Sequence, residues 1–260
     1  RPGARRPYCF RAMIIADMLA RLGGLVPTNW QSQLPHHNAP FTSTILFLVR
    51  AGNPKGIRTW EDLVRPGVGV ILPNPRTSGN GRYSYLAAWA YAQHQLRLDD
   101  QGAREFVGRL LANVPVLDTG GRGATTTFAE RGIGDVLLTF EAEALFTLRE
   151  LGSTRLEVVA PGFSVEAEMP VAVVDKVARR RGTERLARAY LEFLYTEPAQ
   201  NIIASHGFRP RSTSSLARHQ DRFARLTLVT VPDAIGPWTE IQKTHFAEGG
   251  VFDQLTRAAR

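Results

Sequence analysis

The stretch VGVILPNPRTSGNGRYSYLAAWAY (residues 68–91) runs from an apolar segment through a loop of small polar residues into a second apolar segment. Residues 68–72 predict a short buried strand, because their apolar run ends at two prolines, Pro73 and Pro75. From residue 83 to residue 96, apolar side chains recur at helical spacing. The order of strand, glycine-containing loop and helix is typical of α/β proteins.

The same order returns later in the chain. The segment VPVLD (114–118) predicts a strand, TGGRGATTT (119–127) a second glycine-rich loop, and DVLLTF (135–140) another strand. Because predicted strands alternate with helices, the sequence predicts an α/β fold with a mainly parallel sheet. Further strands are predicted at residues 42–54, 156–161 and 169–177, and further helices at residues 183–195 and 198–205.

Both loops are suited to holding an anion through backbone N–H groups. At the start of a helix these groups lack intrahelical partners, and the helix dipole adds a partial positive charge. Two such loops at the carboxyl ends of parallel strands favour a shared ligand over two tight turns. The candidate residues are Ser78, Gly79, Asn80 and Gly81 in the first loop and Thr119, Gly120, Gly121 and Gly123 in the second, with Thr77 before the first set and Arg82 and Arg122 following the small residues.

The two arginines have open roles at this stage. Arg82 and Arg122 occupy equivalent positions just after the small residues of each loop. Each could neutralise a bound anion or brace its own loop against an acidic neighbour.

Nucleotide motifs fit the loops poorly. The chain has no GxxxxGK[ST] sequence, and GNGRYS (79–84) has Ser84 where the dinucleotide fingerprint needs its third glycine. Asp99 lies at a suitable distance for a ribose contact, but it follows a predicted helix instead of ending a strand. The sequence therefore favours another kind of anion.

The composition is that of a globular protein that meets anions. Of the 260 residues, 43% are hydrophobic and 22% are charged, and the formal net charge is +8. This length fits two modest lobes that share a cleft, although one compact domain stays open. The basic excess suits small anions, lipid headgroups or nucleic acid, and we expect no nucleic-acid partner because the arginines are scattered along the chain.

The sequence shows no catalytic motif. The six histidines form no metal-binding spacing, no GxSxG elbow occurs, and Cys9 is the single cysteine. Glu141 and Glu143 follow a predicted strand, and we expect one of them to pair with a loop arginine instead of forming a catalytic pair. We therefore expect no metal, no cofactor and no enzyme activity.

Four long segments carry a family resemblance. They are NPKGIRTWEDLVRPGV (53–68), PNPRTSGNGRYSYLAAWAYA (73–92), VLDTGGRGATTTFAERGIGDVLLTFE (116–141) and WTEIQKTHFAEGGVFDQL (238–255). Together they resemble the sulfate/thiosulfate-binding proteins, the extracytoplasmic receptors of ABC importers for sulfur oxyanions. The resemblance runs from about residue 25 to the C-terminus.

The resemblance implies a fold and a set of site residues. Members of that family have the type II periplasmic-binding-protein fold, an α/β fold of two lobes that close on an oxyanion held mostly by backbone amides. It implies a first lobe of residues 1–48 and 165–260 and a second lobe of residues 49–164 that carries both loops. By their match to the family motifs, Ser78, Gly79, Asn80, Gly121 and Phe140 are implied to contact the ligand, supported by Thr77, Gly81, Arg82, Thr119, Gly120, Arg122 and Glu141.

Phe140 bears on the identity of the anion. It stands where sulfate-binding members place a tryptophan whose indole N–H reaches the ligand, and thiosulfate-binding members resemble this chain in having phenylalanine. The resemblance therefore favours thiosulfate without excluding sulfate.

The N-terminus departs from the family pattern. Nothing in residues 1–24 matches the family's first strands, apart from a partial match that begins in ADMLARLGGLVPTNW (16–30). This departure implies a first lobe without its N-terminal strands, and a binding affinity weakened by the loss of the donors that those strands supply.

The resemblance implies a monomeric extracytoplasmic or periplasmic protein that captures thiosulfate or sulfate and presents it to an ABC permease. The alternative is an enzyme that transfers a phosphoryl or sulfuryl group and uses the same loops to stabilise the charge of its transition state.

Overall fold

The computed structural model describes residues 24–258. The chain divides into two units, the first made of Arg1–Ser43 and Glu168–Arg222 and the second of Thr44–Ala167 and Phe223–Arg260. The prediction about the N-terminal strands falls on residues 1–24 and so lies, but for Gly24, outside the described residues. No helix among residues 24–258 is long and apolar enough to span a bilayer.

The strands and helices follow in chain order. The strands are β1 (Phe41–Arg50), β2 (Val70–Pro73), β3 (Leu117–Asp118), β4 (Val136–Phe140), β5 (Leu156–Val159), β6 (Phe163–Glu168), β7 (Arg209–Pro210) and β8 (Thr227–Thr230). The helices are α1 (Gly79–His94), α2 (Asp100–Ala112), α3 (Gly121–Thr125), α4 (Glu141–Leu151), α5 (Asp175–Arg181), α6 (Glu184–Phe193), α7 (Glu197–Ser205), α8 (Thr213–Arg218), α9 (Val231–Ala234), α10 (Trp238–Ile241) and α11 (Val251–Ala258). Shorter helical turns lie at Trp30–Ser32, Pro35–Asn38, Trp60–Val64, Thr126–Glu130, Gln220–Arg222 and Gln242–Phe246.

The sheet of the second unit is mixed. Its strands follow the order β3-β2-β4-β1-β6-β8. β2 is parallel to β3 and to β4, and β6 is parallel to β8, but β1 runs antiparallel to β4 and β5. The prediction of a mainly parallel sheet missed the direction of β1, because a strand buried on both faces reads as a continuous apolar run in either direction.

The first unit has little sheet of its own. The first residues of β1 pair antiparallel with β7, so that Phe41 faces Pro210. Gln200 on α7 joins this pair to the helices, because its Nε2 donates to Pro40 O (2.8 Å) and its Oε1 accepts from the N–H of Arg211 (2.6 Å).

Two sequence predictions about strands need correction. Residues 169–177 are not a strand. The N–H groups of Met169 and Val171 each donate one hydrogen bond, to the carbonyls of Phe41 and Asn38. Helix α5 already begins at Asp175. β6 was missed, although its residues alternate between fully and less buried positions over part of its length.

The C-terminal segment, Phe223–Arg260, belongs to the second unit. The sequence prediction had put it, with the rest of residues 165–260, in the first lobe. Aromatic side chains explain the difference. Tyr85 on α1 lies 5.3 Å from Phe246 and 6.0 Å from Phe252 between ring centroids, and Trp89 lies 4.6 Å from His245. Burial of these rings fixes the segment on α1.

His245 is the polar member of this aromatic cluster. It is 5% exposed, and its Nδ1 lies 2.9 Å from the hydroxyl of Tyr85. Burial lowers the pKa of His245 to about 4, against a small opposing effect of Asp100. The folded protein therefore holds this imidazole neutral at pH values where an unfolded chain would protonate it.

We predict that the free energy of unfolding falls as the pH drops from 7 to 4. An unfolded His245 binds a proton below about pH 6.5, whereas the folded one stays neutral until about pH 4, so acid favours the unfolded state by up to about 3 kcal/mol. Urea unfolding at a series of pH values measures this slope, and His245→Gln should flatten it. The control His206→Gln changes an exposed histidine and should leave the slope as it is; equal slopes in all three proteins would refute the assignment.

Candidate oxyanion site

The first loop, residues 74–80, joins β2 to α1. Ser78 is the N-cap residue of α1, and its Oγ accepts a hydrogen bond from the N–H of Gly81 (3.3 Å). Its carbonyl accepts from the N–H of Arg82 (3.0 Å). The described residues supply no acceptor for the N–H groups of Gly79 and Asn80, which are therefore available to a ligand.

The second loop, residues 119–123, joins β3 to α3. Gly120 is the N-cap residue, with an extended backbone (φ −161°), and its carbonyl accepts from the N–H of Ala124 (3.1 Å). The N–H of Gly121 precedes this first intrahelical bond, so this loop also presents a backbone donor.

The structure brings the two loops together. β2 and β3 end side by side, with Pro73 opposite Asp118 in the parallel register. The N–H of Asn74 donates to Asp118 O (2.7 Å), and Thr77 Oγ1 donates to Thr119 O (2.8 Å). A Cβ placed on Gly121 would lie 3.5 Å from Asn80 Nδ2. The free amides of the first loop and Gly121 therefore lie at one edge of the sheet.

The end of β4 lies at the same edge. Asn80 Nδ2 donates to Thr139 Oγ1 (3.0 Å), and Ser84 Oγ donates to Asn80 Oδ1 (3.2 Å). The next residue, Phe140, is half-buried with its ring centroid 5.9 Å from that of Tyr83. Sequence reasoning missed the part of Thr139, since a buried threonine in an apolar strand gives no motif.

Arg82 braces the first loop. Its Nε donates to Pro75 O (2.9 Å), its Nη1 donates to Gln242 Oε1 (2.8 Å), and its guanidinium carbon lies 4.9 Å from the ring centroid of Phe246. Burial lowers the pKa of this guanidinium. Arg82 therefore holds the loop through a carbonyl and a neutral amide, and not through the acidic neighbour that the sequence suggested.

Arg76 ties the same loop to the C-terminal segment. Its Nε donates to Asp253 Oδ1 (2.7 Å), and its Nη2 donates to Asp253 Oδ2 and to Ala247 O. The hydrogen bond from Arg76 lowers the pKa of Asp253. Sequence reasoning did not single out this pair, because its members are 177 positions apart.

The carboxylates near the loops are held by other groups. Glu143 Oε1 lies 3.6 Å from Arg122 Nε, which confirms the prediction that one of Glu141 and Glu143 pairs with a loop arginine. Glu141 is fully buried, and its Oε1 accepts from the N–H of Ala224 (3.1 Å). Residues 24–258 contain no cluster of three or more histidine, cysteine or acidic side chains that could hold a metal ion.

Comparison with known proteins gives the family. Residues 12–209 match the bacterial extracellular solute-binding proteins. The chain is 52% identical over 239 residues to the thiosulfate-binding protein of Pseudomonas aeruginosa, covering 92% of this chain and 72% of that protein. It is 49% identical over 234 residues to the sulfate-binding protein of Escherichia coli, covering 90% of this chain and 71% of that protein.

A solved structure agrees with these relatives. The sulfate-binding protein SubI from Mycobacterium tuberculosis superposes with a TM-score of 0.82 at 34% identity, covering 94% of this chain and 83% of that one. The chain belongs to the sulfate/thiosulfate-binding protein family. Its fold is accordingly that of the type II periplasmic binding proteins.

Family membership bears on the two functions left open by the sequence. The relatives are named as binding proteins, and none of these comparisons supports a phosphoryl- or sulfuryl-transfer enzyme. In this family member the predicted residues Ser78, Gly79, Asn80 and Gly121 lie at one edge of the sheet, while Arg82 and Glu141 are held by other groups.

We predict that Gly81→Ala destabilises the fold by about 2–4 kcal/mol. A Cβ on Gly81 would collide with Pro73 O, a backbone atom that the sheet holds in place. The matched control is Gly79→Ala, where a Cβ meets nothing within 4 Å. Urea unfolding of both variants measures the difference; similar stabilities would show that the approach of α1 to β2 is less close than the structure gives.

Proposed function

We propose that the chain is the extracytoplasmic solute-binding component of an ABC importer, and that it binds thiosulfate or sulfate between its two loops and delivers the anion to the permease. The observation that carries the proposal is the convergence of the free N–H groups of Gly79 and Asn80 with Gly121 at one edge of the sheet. Membership of a family of extracellular binding proteins supports it. We infer a monomer that acts in the periplasm.

The donors are neutral, which suits a fully ionised oxyanion. Backbone N–H groups at two helix starts supply hydrogen bonds and a partial positive charge without a counter-ion. Ser78 Oγ already accepts from Gly81 N–H, so its own hydroxyl proton is left to donate. Each hydrogen bond to a charged ligand contributes about 1.5–3 kcal/mol.

The same donors disfavour a protonated anion. An N–H group cannot accept a hydrogen bond, so the O–H of hydrogen phosphate would be left without a partner among them. A site that leaves a buried polar group unpaired rejects that ligand strongly. We therefore expect sulfate and thiosulfate to bind in preference to phosphate.

Calorimetric titration tests the proposal directly. We expect heat of binding with thiosulfate and with sulfate, and none with phosphate at the same concentrations. Absence of binding by both sulfur anions, or equal binding of phosphate, would contradict it.

We predict that Gly79→Asp abolishes binding of both sulfur anions. The new carboxylate would cap the free N–H groups and repel the ligand, while its position in the first turn favours the helix and its Cβ meets nothing within 4 Å. We therefore expect the Gly79→Asp variant to stay folded, and thermal melting will check this. The control Gln101→Asp adds the same charge to the first turn of α2 and should leave the titration unchanged.

We predict that Phe140→Trp raises the affinity for sulfate relative to thiosulfate. Phe140 ends β4 beside the first loop, where an indole N–H would add a donor. One added hydrogen bond to a dianion corresponds to about tenfold or more in affinity. Competition titrations of the two anions measure the ratio; an unchanged ratio would show that Phe140 does not face the ligand.

A further inference from the structure

The side-chain amide of Asn80 is buried at the edge of the sheet where the two loops meet. Asn80 lies in the first turn of α1 and is 7% exposed. Its Oδ1 accepts from Ser84 Oγ (3.2 Å), and its Nδ2 donates to Thr139 Oγ1 (3.0 Å). Ser84 and Thr139 are themselves fully buried. Hydrogen bonds with two buried hydroxyl groups therefore fix the position of this amide.

One N–H of the Asn80 side chain remains without an acceptor. A side-chain amide nitrogen carries two hydrogens, and within residues 24–258 Thr139 Oγ1 is the one acceptor of Nδ2. A buried N–H group without a partner is costly, and nearly all such groups in folded proteins are paired. A ligand that accepts this hydrogen bond would remove the cost.

The side-chain amide lies beside the backbone donors of the site. A Cβ on Gly121 would have Asn80 Nδ2 as its neighbour at 3.5 Å, so the side chain of the first loop reaches the start of the second. The amide is neutral, like the N–H groups of Gly79, Asn80 and Gly121. It would add a charge-assisted hydrogen bond to an anion without adding a counter-ion.

We propose that the Asn80 side chain donates a hydrogen bond to the bound oxyanion, and that Thr139 and Ser84 are positioning residues that hold its amide for this contact. The inference rests on the proposed function, since it takes the ligand to be the sulfur oxyanion of that site. It goes beyond the backbone donors, because the identity of the side chain at position 80 then sets part of the affinity.

The two hydroxyl groups lower the cost of this contact. A mobile asparagine side chain would lose rotamer freedom when it bound a ligand, and that loss would be subtracted from the binding energy. Thr139 and Ser84 hold the amide before any ligand arrives. Their contribution to affinity therefore passes through Asn80 and requires no contact of their own with the anion.

Calorimetric titration of Asn80→Ala with thiosulfate and with sulfate tests the donor. The variant keeps the backbone N–H at position 80 and places a good helix former in α1. We expect the affinity for both anions to fall by about tenfold or more. The control Gln101→Ala removes an amide side chain from the first turn of α2 and should titrate as the unchanged protein does. An equal or higher affinity in Asn80→Ala would overturn the proposal.

The positioning role of Thr139 has its own readout. Thr139→Val removes the acceptor of Nδ2 at nearly constant size, and we expect the affinity to fall by about threefold or more; Thr139→Ser keeps the hydroxyl and should retain the affinity. In the Asn80→Ala background Thr139→Val should have no further effect. Thr147→Val, at a buried threonine of α4, is the matched control and should bind normally. Equal losses with and without Asn80 would overturn the positioning role.

Melting temperatures measured without ligand separate a loss of affinity from a loss of folded protein. Should Asn80→Ala prove unstable, the combined variant Asn80→Ala/Ser84→Ala/Thr139→Val also removes both hydroxyl groups and leaves neither of them unpaired. It should show the same loss of affinity as Asn80→Ala, and full affinity in it would overturn the proposal.

This inference and the proposed function fail differently. If the unchanged protein binds neither sulfur anion, the proposed function is wrong and the inference falls with it. If the unchanged protein binds them and Asn80→Ala binds them equally well, the side-chain contact alone is wrong.

Discussion

Parallel pairing of β2 with both β3 and β4 is the constraint on which the candidate site depends. Parallel strands end at the same edge of a sheet, so the segments that follow β2, β3 and β4 start from neighbouring positions. Gly81 lets α1 approach the end of β2 more closely than any residue with a Cβ could. Because the amide donors are backbone atoms, their place at this edge of the sheet follows from the strand pairing.

The two arginines near the site interact with other groups, which leaves the neutral backbone amides as the donors. Arg82 lies close to the first loop, yet its guanidinium is turned to a loop carbonyl and to Gln242. Arg122 is 75% exposed and lies near Glu143. A dianion held by amides alone keeps its full charge and gains from two helix dipoles.

Local sequence signals were enough to find the two loops, and they were not enough to place what supports them. Ser78 to Gly81 and Thr119 to Gly123 stand out because two segments of small residues, each between a strand and a helix, favour a shared ligand over two tight turns. The direction of β1 and the irregular course of residues 169–174 gave no such signal, because apolar composition reports burial and not pairing. The lobe to which residues 223–260 belong depends on aromatic contacts with α1, which no motif describes.

These distant contacts bear on binding because they hold the first loop in shape. Arg76 and Arg82 both lie in or next to that loop, and both bond to the C-terminal segment, at Asp253 and at Gln242. Tyr85 and Trp89 anchor the same segment one and two turns further along α1. Amide donors bind an anion tightly only when they need no reordering, since the entropy of fixing a mobile loop would be subtracted from the binding energy. At the proposed site, the C-terminal segment would therefore contribute to anion affinity by keeping Gly79 and Asn80 beside Gly121.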